Sequence, residues 1–289
     1  MPEKHGEREQ GEPLPTLDVE IDLELEAIRD RGMRLLSEVG YPTEPFGVYL
    51  FHASSPDAEL ARYVEQVVFE ETFGNSREML DDEYAPYDDA TIFVCVMDQR
   101  RHLPVGAMRL ITPSPAGFKT LHDLERIWGI HPDDVDREHR IGLDTSSMMD
   151  VTTLSVMSEY RGSATNGLIT LSILSGMCGL FRRWSTTWAV CVMDLVVYDL
   201  IQKLTGEPYS PFPGAVPKRY LDSPASLPLH CNLAEHWKKL EATDRFMTEI
   251  SHGRGLGEAV RPPDYSEEVL PASSLAARKG ATDLASRTG

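Results

Sequence analysis

The stretch from Met149 to Phe181 constrains this chain most. Asp150 to Val156 is rich in β-branched and apolar residues and predicts a buried strand. Glu159 to Asn166 is polar, contains a glycine and predicts a turn. After Gly167, the residues Leu168, Ile169, Leu171, Leu174, Met177, Cys178, Leu180 and Phe181 extend too far for one strand and suit a core helix. Ser172, Ser175, Gly176 and Gly179 give that helix a small face, which permits close packing. A strand that runs through a glycine turn into a buried helix aims unpaired backbone N–H groups at whatever sits above the helix. Such a turn is an anion site, and phosphate is the anion it suits best.

The flanking segments supply a sheet for this unit. Ile21 to Val39 carries Ile21, Leu23, Leu25, Ile28, Met33, Leu35 and Leu36 at roughly helical spacing and stops at Gly40. This helix either packs on the domain or serves as a lid or partner surface. Phe46 to His52 reads as a strand. The helix after it has Leu60, Val64, Val67, Val68 and Phe69 on its apolar face. Asp81 to Asp89 reads as an acidic, proline-containing loop, and Thr91 to Met97 with Pro104 to Ile111 as a hairpin. Thr120 to Ile130 is a short helix, Thr187 to Met193 a strand, Leu195 to Leu204 a helix, Leu227 to Cys231 a strand piece and Ala234 to Ile250 one helix. That order gives an α/β fold with a mixed central sheet and helices on both faces. The expected organisation is a disordered terminus (1–16), a helical extension (17–45), one domain (46–251) and a flexible tail (252–289).

Composition narrows the functions. Lys plus Arg is 28 against 46 for Asp plus Glu, a net charge of −18 that opposes loose binding to nucleic acid or anionic lipid. Cys95, Cys178, Cys191 and Cys231 lie far apart in apolar segments and read as reduced core residues of a cytoplasmic protein. No apolar leader opens the chain, and the run from Gly167 is too short and too broken to span a bilayer. His122, His131, His139, His230 and His236 show no metal spacing, so no metal is expected.

The order of elements and the turn resemble the GNAT superfamily of N-acyltransferases, whose signature between the fourth strand and the next helix is matched by Glu159, Gly162 and Ala164. Glu159 stands where the superfamily prefers Gln or Arg. A narrower likeness, over about Tyr63 to Leu233, is to acyl-homoserine-lactone synthases and the related N-acyl amino acid synthases. Val68-Phe69, the acidic segment with Glu83, Tyr87 and Asp88, Arg109-Leu110-Ile111-Thr112-Pro113, and Asp150, Thr152, Leu154 and Val156 carry it. Thr153 replaces an arginine of that family and Glu65 a basic residue, and Ala85 replaces an acid. These departures put S-adenosylmethionine in doubt as the acceptor, and the broader branch is favoured.

The resemblance implies a mostly antiparallel sheet with a splayed fourth and fifth strand pair. It also implies an acyl thioester donor, acyl-CoA or acyl carrier protein, and a small-molecule amine acceptor. Arg161, Gly162, Ser163, Ala164, Thr165 and Asn166 would receive the donor's phosphate, and the edge from Leu154 to Val156 its pantetheine arm. A plain helix cap by Ser163 or Thr165 is the alternative.

Acyl transfer to an amine needs a group that takes a proton. Asp150 is the candidate for positioning or deprotonating the amine, unless it only caps a turn. Arg109, on an otherwise apolar strand, would bind an acceptor carboxylate or hold Asp88 or Asp150; a purely structural ion pair remains open. Glu83 and Asp88 would bind a cationic acceptor, or form a solvated acidic surface. The superfamily's tyrosine acid is missing after the fifth strand, with Tyr198 one turn early. The alternative function is a catalytically inactive domain of this fold that binds a ligand or protein partner.

Overall fold

The computed structural model describes residues 16–265. Helix α1 (Thr16–Glu38) precedes β1 (Phe46–His52), α2 (Ala58–Phe73) and α3 (Arg77–Tyr84). The hairpin of β2 (Thr91–Asp98) and β3 (Leu103–Ile111) leads to α4 (Lys119–Trp128), α5 (Pro132–His139) and β4 (Met148–Val156). Then come α6 (Leu168–Arg183), β5 (Trp188–Asp194), α7 (Leu195–Thr205), β6 (Ser210–Pro211), β7 (Lys218–Tyr220) and β8 (Ser223–Asn232). Helices α8 (Leu233–Thr243) and α9 (Arg245–Ser251) and the short β9 (Val260–Arg261) close the described chain.

The sheet runs β6-β8-β5-β4-β3-β2-β1-β9, with β7 added on β8, and only the β4–β5 and β1–β9 pairs are parallel. Alternation assigns its two faces. Tyr49, Phe51, Phe93, Cys95 and Met97 point to α1 and α2, where they meet Leu36, Leu60 and Val64. Val48, Leu50, Ile92, Val94 and Val96 point to α6 and its Ile169, Ile173 and Met177. The small face of α6 lets it approach closely: a Cβ at Gly176 would stand 2.7 Å from Val94 and 2.9 Å from Val48.

Several expectations need correction. Asp81 to Asp89 is not a loop: Ser76 caps α3 by accepting from the Met79 amide, Leu80 and Tyr84 bury one side of it, and a 3-10 helix follows over 85–90. The polar composition hid a helix that has only two buried residues. Ala234 to Ile250 is two helices, because Asp244 leaves helical geometry and caps α9 through the Met247 amide. The chain is also ordered past residue 252. Val260 and Arg261 pair with Phe46 and Gly47, and the Tyr265 hydroxyl donates to the Ser175 carbonyl at 3.3 Å. Helix α1 packs on the domain through Ile28, Leu35 and Leu36. The terminus expected to be disordered (1–15 of it) and the tail beyond residue 265 lie outside the described residues.

Candidate functional site

Strands β4 and β5 begin as a pair and then separate. They register at Met148↔Trp188, Met149↔Ala189 and Asp150↔Val190, and there the pairing stops. Beyond it β5 stays with β8 as far as Asp194↔Ser226, while β4 stays with β3 as far as Val156↔Gly106. The separation coincides with a bulge: Leu110 opposes Val151 and Arg109 opposes Thr153, which leaves Thr152 extra. An extra residue bends the strand and increases its local twist. It also reverses the alternation, so that Asp150 and Thr153, three positions apart, face the same side.

A cavity of about 490 Å³ opens at this separation and passes from one face of the sheet to the other. Val68, Phe69, Thr72 and Phe73 of α2 line it on one face, and Thr170, Leu174, Met177 and Cys178 of α6 on the other. Between them lie Thr152, Leu154 and Val156 of β4 and Val192, Met193 and Asp194 of β5. On the β5 side, the backbone of β4 beyond Asp150 has no strand partner.

The turn beside this gap is open to solvent. Arg161, Gly162, Ser163, Ala164 and Asn166 are exposed, and Arg161 and Gly162 also line the cavity. Arg161 is fixed to the end of β4 by a bond from its Nε to the Val156 carbonyl at 2.6 Å. Gly162 has φ +56°, where a side chain would be strained. Neither Ser163 nor Thr165 caps α6; Thr165 donates its hydroxyl to the Tyr160 carbonyl, and the N-cap is Gly167 without a side-chain bond. At the start of α6 the Leu168 amide donates to the Thr165 carbonyl and the Leu171 amide to the Gly167 carbonyl, each at 3.0 Å, and the turn ahead of them stays open to solvent.

The remaining expected residues lie apart from the cavity. Asp150 is fully buried and caps α4, accepting from the Thr120 amide at 2.7 Å and the Thr120 hydroxyl at 2.6 Å. Burial pushes its carboxyl up to about 7, against the opposing pull of Thr120 and Lys119. Having no place in the cavity lining, it does not touch an amine there. Arg109 is 1% exposed and ion-paired bidentately with Glu65, at 2.5 and 3.0 Å, with Asp88 further off at 3.5 Å. Its guanidinium is sandwiched between Tyr84 and Phe93, and Thr153 donates to Glu65 at 2.6 Å. Arg109 thus pairs mainly with Glu65, approaches Asp88 and does not reach Asp150. Asp88 is answered a second time by Arg62 at 3.3 Å.

Glu83 belongs to a neighbouring cluster. It pairs with Lys119 at 2.7 Å and Arg126 at 3.2 Å, and both cations also bind Asp123 at 2.6 Å. Lys119 further donates to the Tyr220 hydroxyl, which donates in turn to Asp123. Since each carboxylate has cations of its own, Glu83 and Asp88 offer no uncompensated charge to a cationic acceptor. Tyr198 bonds to Gln202 and the Tyr209 carbonyl and stays out of the cavity.

Sequence reasoning noted Glu65 only as a departure from the family and missed its pairing with Arg109, and it missed Lys119, Asp123 and Asp194. Glu65 left a signal, an acid among Ala61, Val64 and Val68 on the buried side of α2. Asp194 caps α7 through the Val196 amide and accepts from Ser223, and it is the one acidic side chain lining the cavity among the described residues. No group of three His, Cys, Asp or Glu among the described residues could hold a metal ion, and no helix there is long and apolar enough to cross a membrane.

No family model matches the chain, and no curated protein matches its sequence. Solved structures do resemble it. A CoA-dependent acyl-homoserine lactone synthase, BjaI, solved with SAM and isopentyl-CoA, is 13% identical, with a TM-score of 0.51 over 80% of this chain and 98% of its own. FeeM, an N-acyl amino acid synthase from uncultured soil microbes, is 11% identical, with a TM-score of 0.52 over 69% of this chain and 97% of its own. At these identities the likeness concerns the fold alone: the chain has a GNAT-like fold.

Proposed function

We propose that this protein is an N-acyltransferase that moves an acyl group from a thioester, acyl-CoA or acyl carrier protein, to the amine of a small molecule such as an amino acid derivative. The observation that carries this proposal is the gap between β4 and β5, which opens beside an exposed helix mouth and crosses the sheet. Arg161, Gly162 and the amides from Ser163 to Asn166 would receive the phosphate. The unpaired edge at Leu154 and Val156 suits the amides of a pantetheine arm, because an open strand edge offers alternating donors and acceptors. FeeM is an N-acyl amino acid synthase, and BjaI was solved with isopentyl-CoA; both support the assignment.

The amine attacks the thioester carbonyl as a neutral nucleophile. A C–N bond forms, the C–S bond breaks, and the sulphur leaves with its electron pair. Asp194 lines the gap and is placed to take the proton released by the amine. Asp150 and Arg109 act as positioning residues: the first fixes α4 against β4, the second ties β3 to α2. A thiol is an adequate leaving group, so the absent tyrosine does not prevent turnover.

Calorimetry with acyl-CoA, and separately with acyl carrier protein, tests the donor. Gly162→Glu is expected to abolish binding, since it strains the turn and sets a carboxylate against the phosphate. Asp194→Asn keeps the cap oxygen and is expected to retain donor binding while turnover falls on the order of a hundredfold, the usual scale for loss of a general base. Absence of binding to either donor would remove the proposal.

A further inference from the structure

His236 has no part in the chemistry above, yet it lines the same cavity. It lies on α8 between Leu233 and Leu240, the buried side of that helix, where a leucine would fit the pattern. The residue is 9% exposed, and its ring nitrogens make no hydrogen bond among the described residues; its contact is with the Trp237 ring, at 5.2 Å. Burial pulls the imidazole down to about 4, so at neutral pH it is uncharged, with one nitrogen as donor and the other as acceptor.

Its position is far from the phosphate turn. Gly162 stands at the mouth of α6, whereas Trp237 stacks on Arg182 in the last turn of that helix, 4.7 Å away. The sixteen residues of α6 make a helix about 24 Å long. The cavity follows α6 along Thr170, Leu174 and Cys178 and ends among Trp237, Leu240, Met247 and Ile250. Trp237, Leu240, Met247 and Ile250 make this far end of the cavity mostly apolar, and it carries one neutral imidazole without a protein hydrogen-bond partner. Ser251 is there too, but its hydroxyl accepts from Arg182 and donates to the Thr248 carbonyl.

We infer that the far end of the cavity is a subsite for an uncharged oxygen function on the distal part of the acyl chain, a hydroxyl or carbonyl that hydrogen-bonds to His236. The substrate class is then hydroxy- or oxo-acyl thioesters rather than plain alkanoyl ones. This inference rests on the acyltransferase proposal. An apolar chain that covered the ring without bonding to it would leave a buried polar atom unpaired at a cost of about 1–3 kcal/mol, a preference of about five- to 150-fold for the oxygenated chain.

The test is calorimetry on the full chain with alkanoyl-CoAs and their (ω−1)-hydroxy counterparts, matched in length across a series. At one length or more, the wild-type protein is expected to bind the hydroxylated chain at least fivefold more tightly. His236→Leu should cancel or invert that preference, and His236→Gln, which keeps a donor and an acceptor, should preserve part of it. Equal binding of both chains at every length, or a preference that survives in His236→Leu, overturns the subsite while leaving the acyltransferase proposal standing. Failure to bind any acyl-CoA overturns both.

Discussion

The two faces of the sheet hold their ionisable side chains in opposite ways. On the side of α2 and α4, Glu65 with Arg109 and Lys119 with Asp123 are charged, buried and paired, and Asp150 is bonded twice to Thr120. On the side of α6 and α8, the polar ring of His236 is buried and left without a partner. The first arrangement leaves its groups no capacity for a ligand and fixes the helices that frame the gap. The second leaves an imidazole on the cavity wall free to bond a bound molecule. Access to the cavity, more than polarity, separates framework from binding surface here.

The sharpest way to break this contrast is to remove one member of a buried pair. Glu65→Leu strands the Arg109 guanidinium, and the expected loss of stability in urea denaturation is about 3–5 kcal/mol. The double replacement Glu65→Leu with Arg109→Met should recover much of it. A loss below about 1 kcal/mol would mean that the pair is no framework.

A middle effect concerns Asp150. Its carboxyl titrates near 7 in the folded protein and near 3.9 in an unfolded chain, so the folded state keeps the proton longer. Between about pH 4 and 7 the unfolded state loses that proton first. Asp150 therefore lowers stability progressively as pH rises through this window, by a few kcal/mol, and the effect levels off above it. Asp150→Asn should flatten stability against pH over that range, as measured by denaturation at each pH; an unchanged slope would refute the assignment.

The smallest effect sharpens the comparison best. His236→Leu makes the same kind of change as Glu65→Leu on the opposite face, yet it strands no partner and completes an apolar helix side. Stability should hold or rise by up to about 1 kcal/mol. A melting temperature several degrees lower would show that His236 is held by the fold after all.

How much of this was legible depended on locality. The strand, turn and helix over 149–181 were readable because alternation, a glycine and a long apolar run each act within a few residues. Asp150 was visible as an unusual acid in an apolar strand, but its partner is a helix start thirty positions earlier, at Thr120. The exposure of the turn from Arg161 to Asn166 fits its polar composition. Asp194 carries no local signal of its place, because nothing near it in sequence shows that β5 has left β4 there.

The sequence by itself determined the order of strands and helices, the hairpin, and the glycine turn ahead of the central helix, since those depend on side-chain periodicity and backbone freedom. The tertiary structure decided where the sheet opens, which carboxylate lines the opening and which charges cancel one another. Those outcomes come from the bulge at Thr152 and from side chains that meet across long stretches of chain, and no local pattern encodes such meetings.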